Sequence, residues 1–158
     1  MKFDTEAELK YAHRFTDPWY LAQDLARVAR YTEEDPLPIA ARAAKAALEC
    51  KDDYQRSAVR AWEIAALARR GHAAQARASL DEALAAASTA TPVSSRSEAL
   101  MLLLQAAFWI GRDEALKVYE QMKATCPAEE HWRCKRNLRD GERMISGVTK
   151  PRQFYGEK

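Results

Sequence analysis

The sequence predicts an all-helical protein, and two features of its composition lead to that prediction. Alanine, which has the highest helix propensity, dominates the middle of the chain, whereas the β-branched residues that favour strands are scarce. Most of the five glycines and six prolines lie between runs of helix-forming residues, where they mark boundaries. A chain of 158 residues is long enough to bury a core without a metal ion or a disulfide.

Capping residues and prolines define the helices that we predict for the N-terminal half. Thr5 and Glu8 have the spacing of a capping box, and Asp17 followed by Pro18 is a typical helix start. Two prolines within residues 33–38 predict a turn, because proline disrupts a helix interior. The predicted helices span residues 5–15, 18–31, 39–50 and 53–70.

Four further helices are predicted in the C-terminal half. Ser95 and Glu98 form a second capping box after a polar linker, and Pro127 ends the helix before the last one. The last helix is weakened by Gly141. These helices span residues 73–87, 95–110, 113–124 and 128–146. The sequence thus predicts a single domain over residues 1–146, followed by a C-terminal tail over residues 147–158.

Two successive helical hairpins share a pattern of small and large residues. In the second helix of each hairpin these residues recur three and four positions apart, on one face. A small residue lets two helices approach closely, and the larger one fills the groove between them. The matching residues are Gly71, Ala76, Leu80 and Ala83 in one hairpin, and Gly111, Ala115, Tyr119, Met122 and Pro127 in the next.

This pattern resembles the tetratricopeptide repeat, whose second helix has a similar order of small, aromatic and small residues before a closing proline. The resemblance covers residues 17–127. It is degenerate, because Ile64 and Leu104 stand where the family usually has glycine, and the linker at 88–94 lengthens the unit beyond the family's ~34 residues. The resemblance implies a right-handed α-α superhelix of about three helical hairpins with N- and C-terminal capping helices. A helical-hairpin array of other ancestry is the alternative.

The resemblance also implies a binding surface. In tetratricopeptide proteins the first helix of each repeat lines a concave groove, which holds a peptide or a helix. The corresponding residues here are Ala65, Ala68, Arg69, Glu98, Met101, Gln105, Phe108 and Trp109. We therefore expect a non-enzymatic interaction module with a protein or peptide partner, anchored by aromatic side chains. A homo-oligomer built through the same surface is the alternative, and Phe154 and Tyr155 are expected to dock on the chain itself or on a neighbouring copy.

One cluster of residues has the chemistry of a metal site. Cys126, His131 and Cys134 have the pattern C-x4-H-x2-C, and thiolates and imidazole are ligands that zinc prefers. The simpler interpretation is that His131 and Cys134 face the core from the last helix. The sequence contains no phosphate-binding loop, HExxH or GxSxG motif, so we expect no catalytic residues, cofactor or metal. An enzyme or metal protein that uses these three residues is the remaining alternative.

The net charge and the hydropathy of the sequence indicate whether nucleic-acid or membrane partners are expected. The net charge is +2, which gives no indication of a nucleic-acid partner. The basic residues of the last helix are interpreted as a solvated face, balanced by nearby acidic residues. The N-terminus has no apolar run typical of a signal peptide, and the most apolar stretch, residues 99–110, is too short to span a bilayer. We therefore expect a cytoplasmic protein without a membrane partner.

Overall fold

The computed structural model describes residues 2–156, and within this range it contains helices and turns but no β-strand. The all-helical prediction is confirmed. None of the described helices combines the length and the hydropathy that a bilayer crossing requires. The helices are α1 (Thr5–Ala12), α2 (Pro18–Tyr31), α3 (Leu37–Leu48), α4 (Asp53–Ala58), α5 (Arg60–Arg69), α6 (Ala73–Ala87), α7 (Val93–Ile110), α8 (Arg112–Thr125) and α9 (Trp132–Ile145), with a 3₁₀ turn at Ala128–Glu130.

Several predicted helix ends are present in the structure for the expected reasons. The side chain of Asp17 accepts a hydrogen bond from the backbone N–H of Trp19 at 2.9 Å, and Pro18 begins α2. Gly71 follows α5 with φ 82°, a left-handed conformation that glycine adopts at low cost. The backbone N–H of His72 donates to the oxygen of Leu67 at 2.9 Å, which completes a Schellman turn.

Both predicted capping boxes are wrong. Asp4 caps α1 in place of Thr5, because its carboxylate accepts a hydrogen bond from the backbone N–H of Ala7 at 3.1 Å. The helix therefore begins one residue earlier than a Thr5 cap would allow. Helix α7 begins at Val93, directly after Pro92, so Ser95 already lies inside the first turn. Pro92 has no backbone N–H group, and no side chain caps the first turn of α7.

Other helix boundaries differ in detail. Helix α1 ends at Ala12, before the predicted end near Phe15. Helix α3 begins at Leu37 and includes Pro38 in its first turn, where the missing N–H of proline costs nothing. The long fourth helix is divided at Val59 into α4 and α5. The last predicted helix starts as a 3₁₀ turn, and α9 proper begins only after His131.

Neighbouring helices pack in pairs, and the first helices of the pairs also pack in series. Helix α2 contacts α3, α4 and α5 contact α6, and α7 contacts α8. Helices α2, α5, α7 and α9 contact one another in that order. The core between them contains Ile64, Leu80, Leu100, Leu104 and Met122, all fully buried. Burial of each such side chain contributes about 1.5–3 kcal/mol before the entropic cost of folding.

Gly141 allows α9 to pack closely on two other helices. A Cβ atom at this position would lie 3.1 Å from a methyl carbon of Leu104 and 3.1 Å from the ring of Tyr119. Gly141 itself is buried. The glycine lowers the intrinsic helix propensity of α9, as predicted, but it permits a closer contact with α7 and α8 than any other residue would.

The end of α9 redirects the chain. Gly147 has φ 80°, and the backbone N–H of Val148 donates to the oxygen of Arg143 at 2.8 Å in a second Schellman turn. Arg112 Nη1 donates to the carbonyl oxygen of Ile145 at 2.6 Å, which ties the end of α9 to the start of α8. Beyond this turn the chain continues through exposed residues to 151–155, which lie against α5 and α7.

A buried ion pair lies between α5 and α6. Arg60 and Glu63 are only 5% and 3% exposed, and Arg60 Nε lies 2.5 Å from Glu63 Oε1. Ser79 Oγ donates to Glu63 Oε2, and Glu82 accepts from Arg60 Nη2 at 3.1 Å. Burial lowers the pKa of Arg60, but its hydrogen bonds to the two glutamates outweigh that effect and raise the pKa. Arg60 therefore stays a cation within the fold.

Candidate functional site

Residues 151–155, called here the docked segment, bind to α7 through the backbone of Arg152. The backbone N–H of Arg152 donates to Gln105 Oε1 at 2.8 Å. The backbone oxygen of Arg152 accepts a hydrogen bond from Trp109 Nε1 at 3.0 Å. Gln105 and Trp109 are four positions apart on α7, so they lie on one face. Two side chains of one helix thus bind both backbone groups of a single residue.

Tyr155 is the buried end of the docked segment. Its side chain is 9% exposed, and its hydroxyl donates to the backbone oxygen of Trp62 at 2.6 Å. The ring of Tyr31 on α2 meets the Tyr155 ring edge to face, with centroids 5.9 Å apart. A buried tyrosine needs a partner for its hydroxyl, and the carbonyl of Trp62 supplies it. The segment therefore reaches from α7 across α5 to α2.

The indole of Trp62 is the centre of the contact. The Phe154 ring meets it edge to face at a centroid distance of 5.5 Å. The guanidinium carbon of Arg152 lies 5.2 Å from the ring centroids of both Trp62 and Phe154, within the range of a cation–π interaction. Gln153, between these residues, is exposed. Arg152, Phe154 and Tyr155 thus contact the body of the protein, whereas Gln153 does not bury its side chain.

The surface under the docked segment, called here the groove face, consists of Tyr31, Trp62, Gln105 and Trp109. Two of the predicted groove residues, Gln105 and Trp109, contact the docked segment directly. A third, Arg69, lies on the same surface, since its guanidinium carbon is 4.5 Å from the centroid of the Trp109 ring. The Arg69 cation therefore packs against the Trp109 indole, which binds the docked segment.

The other predicted groove residues have structural places. Ala65 and Met101 are 1% and 8% exposed and belong to the core. Ala68 and Phe108 are partly buried and pack against that core. Glu98 forms an ion pair with Arg136 of α9, near the start of α7. The predicted set therefore contains both buried and surface positions of α5 and α7.

The sequence analysis missed Tyr31 and Trp62 as groove residues. Trp62 lies three positions before Ala65 and seven before Arg69, so helical periodicity alone assigns it to the predicted face. Docking of Phe154 and Tyr155 was expected either on the chain itself or on a neighbouring copy. In the structure both residues contact Trp62 of the same chain.

The docked segment leaves space beside it on the α2 side. A cavity of about 230 Å³ adjoins Phe154 and Tyr155. Its wall also contains a carboxylate, Asp24, whose Oδ1 accepts from Arg27 Nε at 2.8 Å. The other oxygen of Asp24 is buried without a hydrogen-bond partner among the described residues. The cavity is lined by Phe15, Tyr20, Gln23, Asp24, Arg27, Trp62, Phe154 and Tyr155.

The residues of the possible metal cluster are used otherwise. Cys126 and Cys134 are both 0% exposed, and burial raises the pKa of the Cys126 thiol, which disfavours the thiolate that metals bind. His131 caps α9, because its Nδ1 accepts from the backbone N–H of Arg133 at 3.1 Å. Over residues 2–156 no group of three or more His, Cys, Asp or Glu side chains is arranged to hold a metal ion.

No protein-family model matches this chain, and no curated protein or solved structure is significantly similar to it. Function must therefore be inferred from the groove face and the segment that it holds.

Proposed function

We propose that this protein is a non-enzymatic interaction module whose groove face binds a short peptide segment of a partner protein. The observation that supports this most is the pair of hydrogen bonds from Gln105 and Trp109 to the backbone of Arg152. Backbone contacts of this kind give affinity for an extended chain, while neighbouring pockets select its side chains. In the free chain, residues 151–155 take the place of the partner.

The order of helix contacts supports a tetratricopeptide-like architecture for this module. Pairs formed by α2 with α3, α5 with α6 and α7 with α8 are the arrangement that three stacked hairpins require. In a right-handed superhelix of this type, the first helices of the hairpins line the inner surface. Helices α2, α5 and α7 carry all four residues of the groove face. In this proposal α1 and α9 serve as the terminal caps.

The docked segment has the features of a ligand that can be displaced. Tyr155 is its only buried residue, and residues 146–150, which connect it to α9, are all exposed. A short tether that holds a ligand next to its site gives an effective concentration on the order of 1 mM. A partner peptide with an intrinsic Kd similar to that of the segment must therefore compete with a local ligand. The apparent affinity of this peptide for the intact chain is lower than its intrinsic affinity, because only the molecules whose groove is open can bind it.

A homo-oligomer in which a second copy supplies the segment is the alternative. A second copy at micromolar concentration competes poorly with a tethered segment at an effective ~1 mM. The short connection within one chain therefore favours docking on the same molecule. Exchange between copies becomes competitive only when the protein concentration approaches the millimolar range.

The test uses a full-length protein with the groove opened by substitution. Phe154→Ala with Tyr155→Ala removes both aromatic anchors of the docked segment but leaves the groove face intact. We expect this variant to bind a synthetic peptide with the sequence of residues 148–156, measured by isothermal titration calorimetry. Gln153→Ala is the matched control, because Gln153 is exposed and its replacement leaves the segment docked.

The two variants are expected to differ in affinity for the peptide by about tenfold or more, given the effective concentration of the tether. Adding Gln105→Ala to the opened variant should remove most of the remaining binding. Equal or absent binding by the opened and control variants, with native circular dichroism for both, would show that the groove face is not a peptide site.

A further inference from the structure

The docked segment presents a different chemical group to the groove face at each position. Arg152 is held through its backbone and its cation, Phe154 through a ring contact, and Tyr155 through burial and its hydroxyl, whereas Gln153 faces solvent. A partner that replaces the segment has to satisfy the same groups of the groove face. The side chains that it needs can therefore be read from the segment.

The first position requires a residue with a free N–H and a cation. The backbone N–H of Arg152 donates to Gln105 Oε1, so proline is excluded there. The guanidinium stands over the rings of Trp62 and Phe154 at 5.2 Å from each centroid. Arginine and lysine are the residues that combine these properties, and arginine also stacks its flat group on an aromatic ring.

The last position requires tyrosine in particular. The Tyr155 ring is buried against Tyr31, and its hydroxyl donates to the carbonyl oxygen of Trp62 at 2.6 Å. Phenylalanine would fill the same space but would lose this hydrogen bond. The position before it is less demanding, because Phe154 is only partly buried and has no hydroxyl that needs a partner. The order of the two aromatic residues is therefore part of the specificity.

We infer that the partner of the groove face is a short segment of another protein with a basic residue, one unrestricted residue, phenylalanine and tyrosine in that order. This inference rests on the proposed function and names the ligand class of the same site. The segment competes with residues 151–155 for Gln105, Trp109 and Trp62. The pattern is only four residues long, so an exposed loop or a chain terminus of the partner could supply it without a dedicated folded domain.

The experiment compares peptides with the sequence of residues 148–156 that differ at one position each. They are titrated calorimetrically into the full-length variant Phe154→Ala/Tyr155→Ala. Replacing the tyrosine by phenylalanine should weaken binding about fivefold, the loss typical of one hydrogen bond. Replacing the arginine by methionine, which keeps the length but not the charge, should weaken it about threefold to tenfold. Replacing the glutamine by alanine should change the Kd less than twofold.

A peptide of identical composition with the two aromatic residues exchanged is the strictest control. We expect it to bind at least fivefold more weakly than the parent, because its phenylalanine then lies at the position of Tyr155 without a hydroxyl. If the double variant is unfolded, full-length Tyr155→Phe provides a milder opening of the same groove and is titrated with the same peptides.

The outcomes separate this inference from the proposed function. A parent peptide that does not bind the opened groove contradicts the proposed function itself. A parent peptide that binds, together with exchanged, methionine and phenylalanine peptides of equal affinity, leaves the peptide site in place but overturns the inferred order of side chains.

Discussion

The hydrogen bond from Trp109 to the docked segment leads to a prediction about proteolysis. Both backbone groups of Arg152 are bound to α7, so trypsin can cleave after Arg152 only when the segment leaves the groove face. Trp109→Phe removes the N–H that donates to the oxygen of Arg152 but keeps an aromatic ring on the groove face. The loss of one hydrogen bond costs about 1 kcal/mol.

That free energy fixes the size of the expected effect. Since 1.4 kcal/mol corresponds to a factor of ten, a loss of about 1 kcal/mol raises the open population about fivefold. When opening and closing are fast relative to cleavage, the rate of cleavage follows that population. We therefore expect Trp109→Phe to be cleaved after Arg152 about five times faster than the parent protein.

The assay follows the product that ends at Arg152 by intact-mass spectrometry at low trypsin concentration. Trp132→Phe is the matched control, because Trp132 is 61% exposed on α9 and makes no hydrogen bond to the segment. An unchanged cleavage rate in Trp109→Phe, or an equal increase in Trp132→Phe, would refute the assignment of this hydrogen bond to segment docking.

Three further predictions concern the body of the protein. Glu63→Gln should lower the free energy of unfolding in urea by about 3 kcal/mol, because it removes the buried anion and leaves the buried Arg60 with the exposed Glu82 as its anionic partner. Glu82→Gln, at a side chain that is 68% exposed, should cost less than about 1 kcal/mol, and equal losses in the two variants would contradict this account. Because the Cys126 thiol is buried and its pKa is raised, we expect it to react negligibly with a thiol reagent at pH 8 in the native protein and fully in urea. Rapid labelling of Cys126 in the native protein would contradict its buried position. A hydrogen bond from an arginine of α6 lowers the pKa of Glu114 below its ordinary value of 4.5, so the stabilising effect of this bond is present above pH 4.5 and is lost as the pH falls through the lower pKa of the folded state. Glu114→Gln should therefore flatten the dependence of the urea midpoint on pH below pH 4.5, and an unchanged dependence would exclude this effect.

The helices of this protein could be predicted because local signals determine most of their ends. Pro18 begins α2 and Gly71 follows the end of α5, both as predicted, because each residue acts within one turn of the chain. The capping boxes failed for the same local reason, since Asp4 and Pro92 stand slightly earlier and define the start themselves. Competition between neighbouring caps is decided by small differences in free energy, which a spacing pattern does not contain.

The groove face was only partly predictable, because its contact with residues 151–155 joins parts of the chain that are distant in sequence. The resemblance to the tetratricopeptide repeat predicted Gln105 and Trp109 on α7, and helical periodicity on α5 places Trp62 on the face that contains Arg69. The hydrogen bond between Tyr155 and Trp62 joins residues that are far apart in the chain, and helix periodicity cannot specify it. An aromatic pair in an otherwise polar tail was the signal that some docking occurs, without indicating its site.

The position of Trp62 and Trp109 under residues 151–155 gives the molecule an intrinsic optical reporter. Indole emission responds to solvent exposure and to nearby charged groups, and both change for these two side chains when the segment departs. Trp19 packs on Trp62 and shares its surroundings, with ring centroids 5.8 Å apart. Replacing the exposed Trp132 by phenylalanine would remove the main background signal. Occupancy of the groove face could then be followed in unlabelled protein, in real time and at nanomolar concentration.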